Sequence, residues 1–386
     1  APAVKAVATP TNTPFPIAQD AAPRPTPTPL PTSTPVPDWK TKWDAIVARA
    51  CEEGEVLLQG PAEVRERTLF TEIFAKEYPC INVKYSGIRA RSWLPKIEAE
   101  RKANVYNWDL YLVSGATSGR TGWKAGYYDK LRPWLVLPEV VDESKWRGGF
   151  ADGWLDTDKA YLYNVVEGTN TLNIQVNTDK VPASAVSKLE DLLKPEFKGK
   201  ILSDDPRARG PGNGANSTLY ASFGEPFLRN LWEDQEVSIS KDVRALLEQL
   251  IRGQASVGIA LDGPLPAFQA EGIGKNIVNK ELTVPIALTS GARGQVALIK
   301  NAPHPNAAAV VANWYMTQKI QQLHVDRYKA DKESRVSRRL DVTSFCANGT
   351  DSCIPKAGQK YVNYDKEENA SIRNEARDIA KDIFGK

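Results

Sequence analysis

Arg89 and Arg91, in the stretch "SGIRARSW", stand between the end of one apolar segment and the start of an amphipathic one. Guanidinium groups placed there converge with the unpaired N–H donors and positive dipole end of a helix start, a combination that holds an anion. The stretch "KILSDDPRARGPGNGANS" repeats the arrangement: a strand, a Gly-rich loop bearing Arg207 and Arg209, and then Asn216 or Ser217 as a cap for the next helix. Ser86, Gly87 and Ser114 would add hydroxyls and backbone N–H groups at strand ends, and Arg65 and Asp262 complete the candidate ligand-binding set. The Gly210, Gly212, Gly214 spacing lacks the Lys-Ser/Thr of a phosphate loop and does not by itself name phosphate.

Other chemistries find less support. The two histidines are His304, between two prolines, and His324 on a helix face; neither has a nucleophile or carboxylate at a defensible spacing, so an enzyme is only an alternative. No catalytic residue, metal ligand or cofactor is expected. The four cysteines lack paired C-x-x-C spacing, and disulfides Cys51–Cys80 and Cys346–Cys353 are the simplest of three connectivities. Disulfides imply an oxidising compartment. With 50 basic and 47 acidic residues the net charge is +3, too small an excess for a general nucleic-acid binder.

Several elements must position these groups. Residues 1–38, with "PTPTPLPTSTPVPD", read as a disordered Pro/Thr-rich tether. No signal peptide is read at Ala1 and no run of about 18 apolar residues occurs, so the expectation is a processed, extracytoplasmic chain, lipid-anchored through a segment upstream. An adhesive surface protein would also use such a stalk, but leaves the two Arg-bearing loops unexplained. Beyond it, "WDAIVARACEEG" reads as a helix, "EVLLQG" as a strand, "EVRERTLFTEIFAKEY" as a helix and "INVKYSG" as a strand. A helix capped by Ser92 and the strand "DLYLVSG" follow. Such alternation predicts a mostly parallel sheet whose loops gather at one edge, bringing Gly60, Ser86–Gly87 and Ser114–Gly115 together. A second α/β unit spans about residues 159–288.

The string "SKLEDLLKPEFKGKILSDDPR" resembles family 1 extracellular solute-binding proteins of ABC importers, as do "WLPKIEAERKANVYNWDLYLVSG" and "GQVALIKNAPHPNAAAVVANWYMT". The resemblance covers the chain beyond the tether and is nearest the ferric-iron-binding branch. It implies the type II periplasmic-binding-protein fold: two α/β lobes, each a mixed, mostly parallel sheet flanked by helices, with ligand in the cleft between them. The expected boundaries are 39–155 with 290–386 for lobe 1 and 156–289 for lobe 2. The implied partners are a small anionic ligand, phosphorylated, phosphonate or carboxylate, and an ABC permease in the membrane; a monomer is expected. Ferric ion or an iron chelate is the alternative cargo. Where ferric-binding relatives carry two adjacent tyrosines, this chain has Gly263–Pro264, and Tyr127–Tyr128 are read as packing residues.

Overall fold

The computed structural model describes residues 39–113, 116–170, 172–208, 210–291, 294–347, 349 and 351–385. The expected tether, Ser114, Gly115 and Arg209 lie outside these.

Chain order explains the first lobe. Helix α1 (Trp39–Glu53) turns Ile46 and Ala50 inward and delivers the chain to strand β1 (Glu55–Gly60). Next, α2 (Val64–Thr68) runs through a π-helical stretch, Leu69–Phe74, into α3 (Ala75–Glu77), burying Leu69, Phe70 and Phe74. Strand β2 (Asn82–Gly87), α4 (Ala90–Lys102), β3 (Leu110–Val113), α5 (Ala116–Lys124), β4 (Tyr128–Asp129), α6 (Pro138–Val141) and β5 (Leu162–Asn164) follow. Strands β1, β2 and β3 pair in parallel, which places Gly60 opposite Gly87 at their carboxyl ends. The Cys51–Cys80 disulfide joins the end of α1 to the approach to β2.

The chain then crosses through β6 (Gly168–Asn170) into β7 (Asn173–Asn177), β8 (Ile201–Asp204), α7 (Pro211–Arg229), β9 (Ser238–Ser240), α8 (Val243–Ile251), β10 (Val257–Ile259), α9 (Leu265–Ala270) and β11 (Ile277–Glu281). These strands form a second sheet in the order β11-β7-β10-β8-β9. Helix α7 kinks at Gly224, whose φ of 76° suits glycine, ahead of Pro226. The return is through β12 (Ala287–Ser290) to β13 (Gln295–Ile299), which lies antiparallel to β3, β4 and β5 and completes the first sheet. Helices α10 (Pro305–Met316) and α11 (Gln318–Ala330) close the first lobe, and a further crossing, β14 (Tyr361–Asn363), leads to α12 (Ile372–Phe384). Strands β14, β12 and β6 form a small third sheet of their own.

The result is the two-lobed type II periplasmic-binding-protein fold expected from the sequence, with two corrections of detail. Helix α4 starts earlier: Arg89 is its N-cap residue (φ −78°, ψ 142°), and Ser92 lies inside the first turn, its N–H donating to the Arg89 carbonyl at 2.9 Å. Helix α12, which the boundary 290–386 assigns to lobe 1, packs instead on the second core. Ala376 and Ala380 are buried there, with Ile379, Ile383 and Phe384 against the apolar side chains around α7. An amphipathic helix with one apolar stripe goes where an uncovered apolar face remains, and α7 supplies it.

Candidate functional site

The cleft edge of the first sheet is set by close backbone approaches. A Cβ on Gly87 would stand 2.8 Å from the Ala62 Cα, and one on Gly60 would meet the Tyr85 hydroxyl at 2.3 Å, so glycine lets the turn after β1 lie against the end of β2. Ile88 N–H closes the corner on the Gly60 carbonyl at 2.7 Å. Ser86 is half-buried beside Gln59, and Arg89 is exposed two residues beyond Gly87, with no side-chain hydrogen bond or ion pair among the described residues. This is the part of the expected site that the fold brings to one edge.

Other expected site residues are engaged by neighbouring groups of the fold. Arg65 donates to Asp331 at 2.5 Å and to Glu333 at 2.7 Å and lies 3.9 Å from the centroid of the Tyr328 ring, tying α2 to the end of α11. Arg207 forks onto Asp205, Nε to Oδ1 at 2.9 Å and Nη2 to Oδ2 at 3.0 Å, and its Nη1 donates to the carbonyls of Gly385 and Phe384. Asn216 and Ser217 do not cap α7; they sit within it, fully buried. The Asn216 amide donates to the Ala376 carbonyl at 2.6 Å and accepts from Trp232 Nε1 at 2.9 Å, and the Ser217 hydroxyl donates to the Asn213 carbonyl at 2.7 Å. The helix begins at Pro211, five residues before Asn216, because Asp204 takes the Gly212 N–H at 2.7 Å and so ties the first turn to the end of β8. Asp262, just beyond β10, accepts from Asn173 Nδ2 at 3.1 Å.

The histidines and tyrosines are likewise engaged within the fold. His304 reaches Asp109, a fully buried carboxylate that also accepts the Leu57 N–H, linking β1 to the start of α10. His324 lies buried between Glu66 and Arg335. Tyr128 is buried 5.6 Å from Trp93, and Tyr127 packs edge-on to the same indole, as the sequence reading expected. Among the described residues no group of three or more His, Cys, Asp or Glu side chains is placed to hold a metal ion.

The sequence reading missed a pair of arginines that the two lobes bring together. Arg120 on α5 donates to the carbonyls of Tyr364 and Asp365 at 3.1 and 2.8 Å. Arg373, in the first turn of α12, stacks 4.8 Å from the centroid of the Tyr364 ring and donates through Nε to Asn213 Oδ1 at the start of α7. Neither makes an ion pair within 4 Å among the described residues. Burial lowers the Arg120 pKa, opposed by Asp365 and reinforced by Arg373, so the two cations feel each other. Asp365 is itself buried, accepting from Ser290 Oγ at 2.9 Å and Gly291 N–H at 2.8 Å; burial raises its pKa against the pull of those donors and of both arginines. Two guanidinium groups, the α7 first turn and the crossing segment thus form a positively biased cradle between the lobes.

Three further side chains at this edge stand out. Gln59, Asn164 and Gln295 are each at most 1% exposed, and among the described residues both amide atoms of each lack a hydrogen-bond partner.

Residues 59–322 match the family model "Bacterial extracellular solute-binding protein". A curated relative, an uncharacterized protein of Haemophilus influenzae, is 23% identical over 203 residues, 51% of this chain and 55% of the relative. This chain thus spans about half the length of that relative. Among solved structures, an ABC transporter protein from Clostridium perfringens has a TM-score of 0.59 at 15% identity, covering 85% of this chain and 99% of its own. IdiA (FutA) of Trichodesmium, in complex with iron and citrate ligands, has a TM-score of 0.58 at 14% identity, covering 86% and 100%. Mannheimia haemolytica ferric iron-binding protein A, in an open conformation, has a TM-score of 0.57 at 13% identity, covering 86% and 98%.

Proposed function

We propose that this chain, which belongs to the bacterial extracellular solute-binding proteins, captures a small organic or phosphorylated anion between its lobes and hands it to an ABC permease outside the cytoplasm. The observation that carries the reading is the Arg120–Arg373 pair, one residue from each lobe, both on Tyr364 and neither neutralised by a carboxylate within 4 Å among the described residues. Guanidinium groups in a partly buried cleft, with no carboxylate in ion-pair contact, gain from an anion that joins them, and bidentate oxyanions match their geometry. Arg89, with Ser86 and Gly87, would extend the same positive edge on the first lobe. Closure of the lobes about the crossing strands would complete the site. The proposed role is binding without chemistry, a reading that the engagement of both histidines with scaffold carboxylates supports. A monomer tethered through residues 1–38 fits this role.

A thermal-shift panel tests the reading. At about a thousandfold excess over its dissociation constant, a ligand specific for the folded state stabilises it by roughly 4 kcal/mol. Phosphorylated sugars, phosphonates and di- or tricarboxylates should shift the melting temperature, and neutral sugars and polyamines should not. Arg120→Ala should abolish the shift of the best anion. Shifts confined to neutral or cationic solutes would sink the proposal.

A second reading, ferric ion carried as an anionic chelate, is favoured by the same two arginines, which could hold the chelator's carboxylates. Gly263–Pro264 offer no phenolate, so the metal would be carried by its chelator. Iron-loaded protein that lacks a phenolate-to-iron band, and loads only with chelator present, would support it.

A further inference from the structure

Asn164 and Gln295 face each other across the β5–β13 ladder, in the row of residues that ends the first sheet on the cleft side. Strand β3 contributes Val113 to that row, opposite Gln295. Side chains two apart on a strand share a face, so both amides lie on the face that carries Leu162, Ala297 and Tyr111, the face packed by Trp93 of α4. They are the row of that face nearest the cleft. Asn164 lies directly over Gly291: a Cβ there would stand 2.1 Å from either amide atom of Asn164. The Gly291 N–H donates to Asp365, and the Asp365 carbonyl accepts from Arg120, so the two carboxamides adjoin the arginine cradle through a continuous set of contacts.

All four amide atoms are buried and, among the described residues, without a partner. Native proteins keep such atoms where a ligand or an ordered water completes them. A carboxamide offers one acceptor and two donor hydrogens, which suits a hydroxyl group, itself both donor and acceptor, better than a bare oxyanion, which only accepts. We propose that Asn164 and Gln295 are specificity-determining residues of this site, reading hydroxyl groups of the ligand, and that the preferred ligands are hydroxyl-bearing organic anions. The inference rests on the anion reading above and narrows it: arginines take the charge, and the carboxamides select what else the molecule carries.

Two matched ligand pairs test it by calorimetry on the full chain: glycerol 3-phosphate against propyl phosphate, and citrate against tricarballylate. In each pair the members share charge and size and differ in hydroxyls. In at least one pair the hydroxylated member should bind tenfold or more tightly, and Asn164→Leu or Gln295→Met should reduce that preference to within about twofold while the hydroxyl-free member keeps its affinity. The melting temperature of ligand-free Asn164→Leu should not fall, since an isosteric apolar group replaces an unpaired one; if that variant fails to fold, Gln295→Met gives the same readout with the smaller change of shape. Equal affinities within both pairs, or variants that weaken both members alike, overturn the inference and leave the anion reading standing. If no anion binds the parent protein, both fall, and if the hydroxyl preference survives both substitutions the amides hold water alone and the inference is wrong.

Discussion

Thr169 grips the Cys346–Cys353 loop twice: its N–H donates to the Cys353 carbonyl at 3.0 Å and its hydroxyl to the Ser352 carbonyl at 2.5 Å. Thr169 is the middle residue of β6, a strand on which the chain passes between the lobes, and it pairs with Thr289 of the returning β12. Behind it the buried Glu167 gathers the Thr289 hydroxyl at 2.6 Å, Asn363 Nδ2 at 3.1 Å and Arg338 Nε at 3.0 Å. The disulfide loop is therefore fastened to the crossing strands.

Replacing both Cys346 and Cys353 with serine should release that fastening. Freeing a loop of this length gives the unfolded chain back an entropy worth roughly 2.5 kcal/mol. Calorimetry should show a lower melting temperature, and hydrogen exchange should quicken at Gly168–Asn170 ahead of the two sheets. Unchanged exchange in β6 would mean that the loop is held by its neighbours and contributes nothing to the crossing.

Acid should loosen the join between α2 and α11. His324 Nδ1 accepts from Arg335 Nη2 at 3.1 Å, so the neutral ring carries its proton on Nε2 and donates it to Glu66 at 2.8 Å. Burial, with Arg335 beside it, holds the His324 pKa below its ordinary value. Burial opposes ionisation of Glu66, but His324, Arg335 and Tyr328 prevail and hold its pKa at about 2. Both folded pKa values lie below the unfolded ones, so the unfolded state takes up protons first. Stability is thus intact above about pH 6.5, falls as His324 titrates in the unfolded chain, and falls further below about 4.3 as pH approaches 2. In melting curves against pH, His324→Gln should flatten the upper part of the acid limb. If parent and variant keep parallel curves from pH 7 to 5, the His324 assignment fails.

The alternation of strands and helices over residues 39–113 was legible because each apolar run has the length and period of one element, and Cys51 and Cys80, which bridge, sit beside those runs. Helix starts were less so. Arg89 caps α4 without any side-chain bond, leaving no residue-type signature, whereas Ser92 carries the signature and sits inside the helix. The crossing strand β14 is three residues long within a polar stretch, below what periodicity detects. The arginine cradle escaped for another reason: Arg120 lies in "ATSGRTGW" and Arg373 at the far end of the chain, and only the packing of α12 on α7 brings them to one tyrosine. Arg207 looked like a ligand because its carboxylate partner, Asp205, is two residues away, too close in sequence to signal a fork.

Asn216 should prove a stability residue. It is fully buried and joins the Trp232 indole N–H to the Ala376 carbonyl, so one side chain links α7, the π-helical stretch Asn230–Asp234 that follows it and α12. Asn216→Ala strands the indole donor inside the second core, which costs roughly 1–3 kcal/mol. Denaturant titration should show that loss, with ligand affinity within about twofold of the parent. Loss of ligand binding in protein of parental stability would restore Asn216 to the site.

Arg89 and Arg207 stand in sequence stretches so alike that they read as a matched clamp, yet their environments call for opposite outcomes on removal. Arg207 is held at every polar atom: a two-bond fork on Asp205, whose carboxyl the guanidinium keeps below the usual range against its burial, and the carbonyls of Phe384 and Gly385 at the end of α12. Removing it unpins the last turn of α12, so Arg207→Ala should lower the melting temperature and quicken hydrogen exchange at Ile379–Phe384 while ligand affinity changes by less than threefold. Arg89 has an exposed side chain with no such fork at the cleft edge of the first sheet. Arg89→Ala should therefore leave the melting temperature of ligand-free protein within a degree of the parent. If its guanidinium closes on the bound anion, the substitution forfeits a charge-assisted hydrogen bond, about 1.5–3 kcal/mol or a tenfold to hundredfold loss of affinity. Measuring both properties in both variants gives a two-by-two result, and an Arg89→Ala protein that binds the best anion as tightly as the parent would confine the anion site to Arg120 and Arg373.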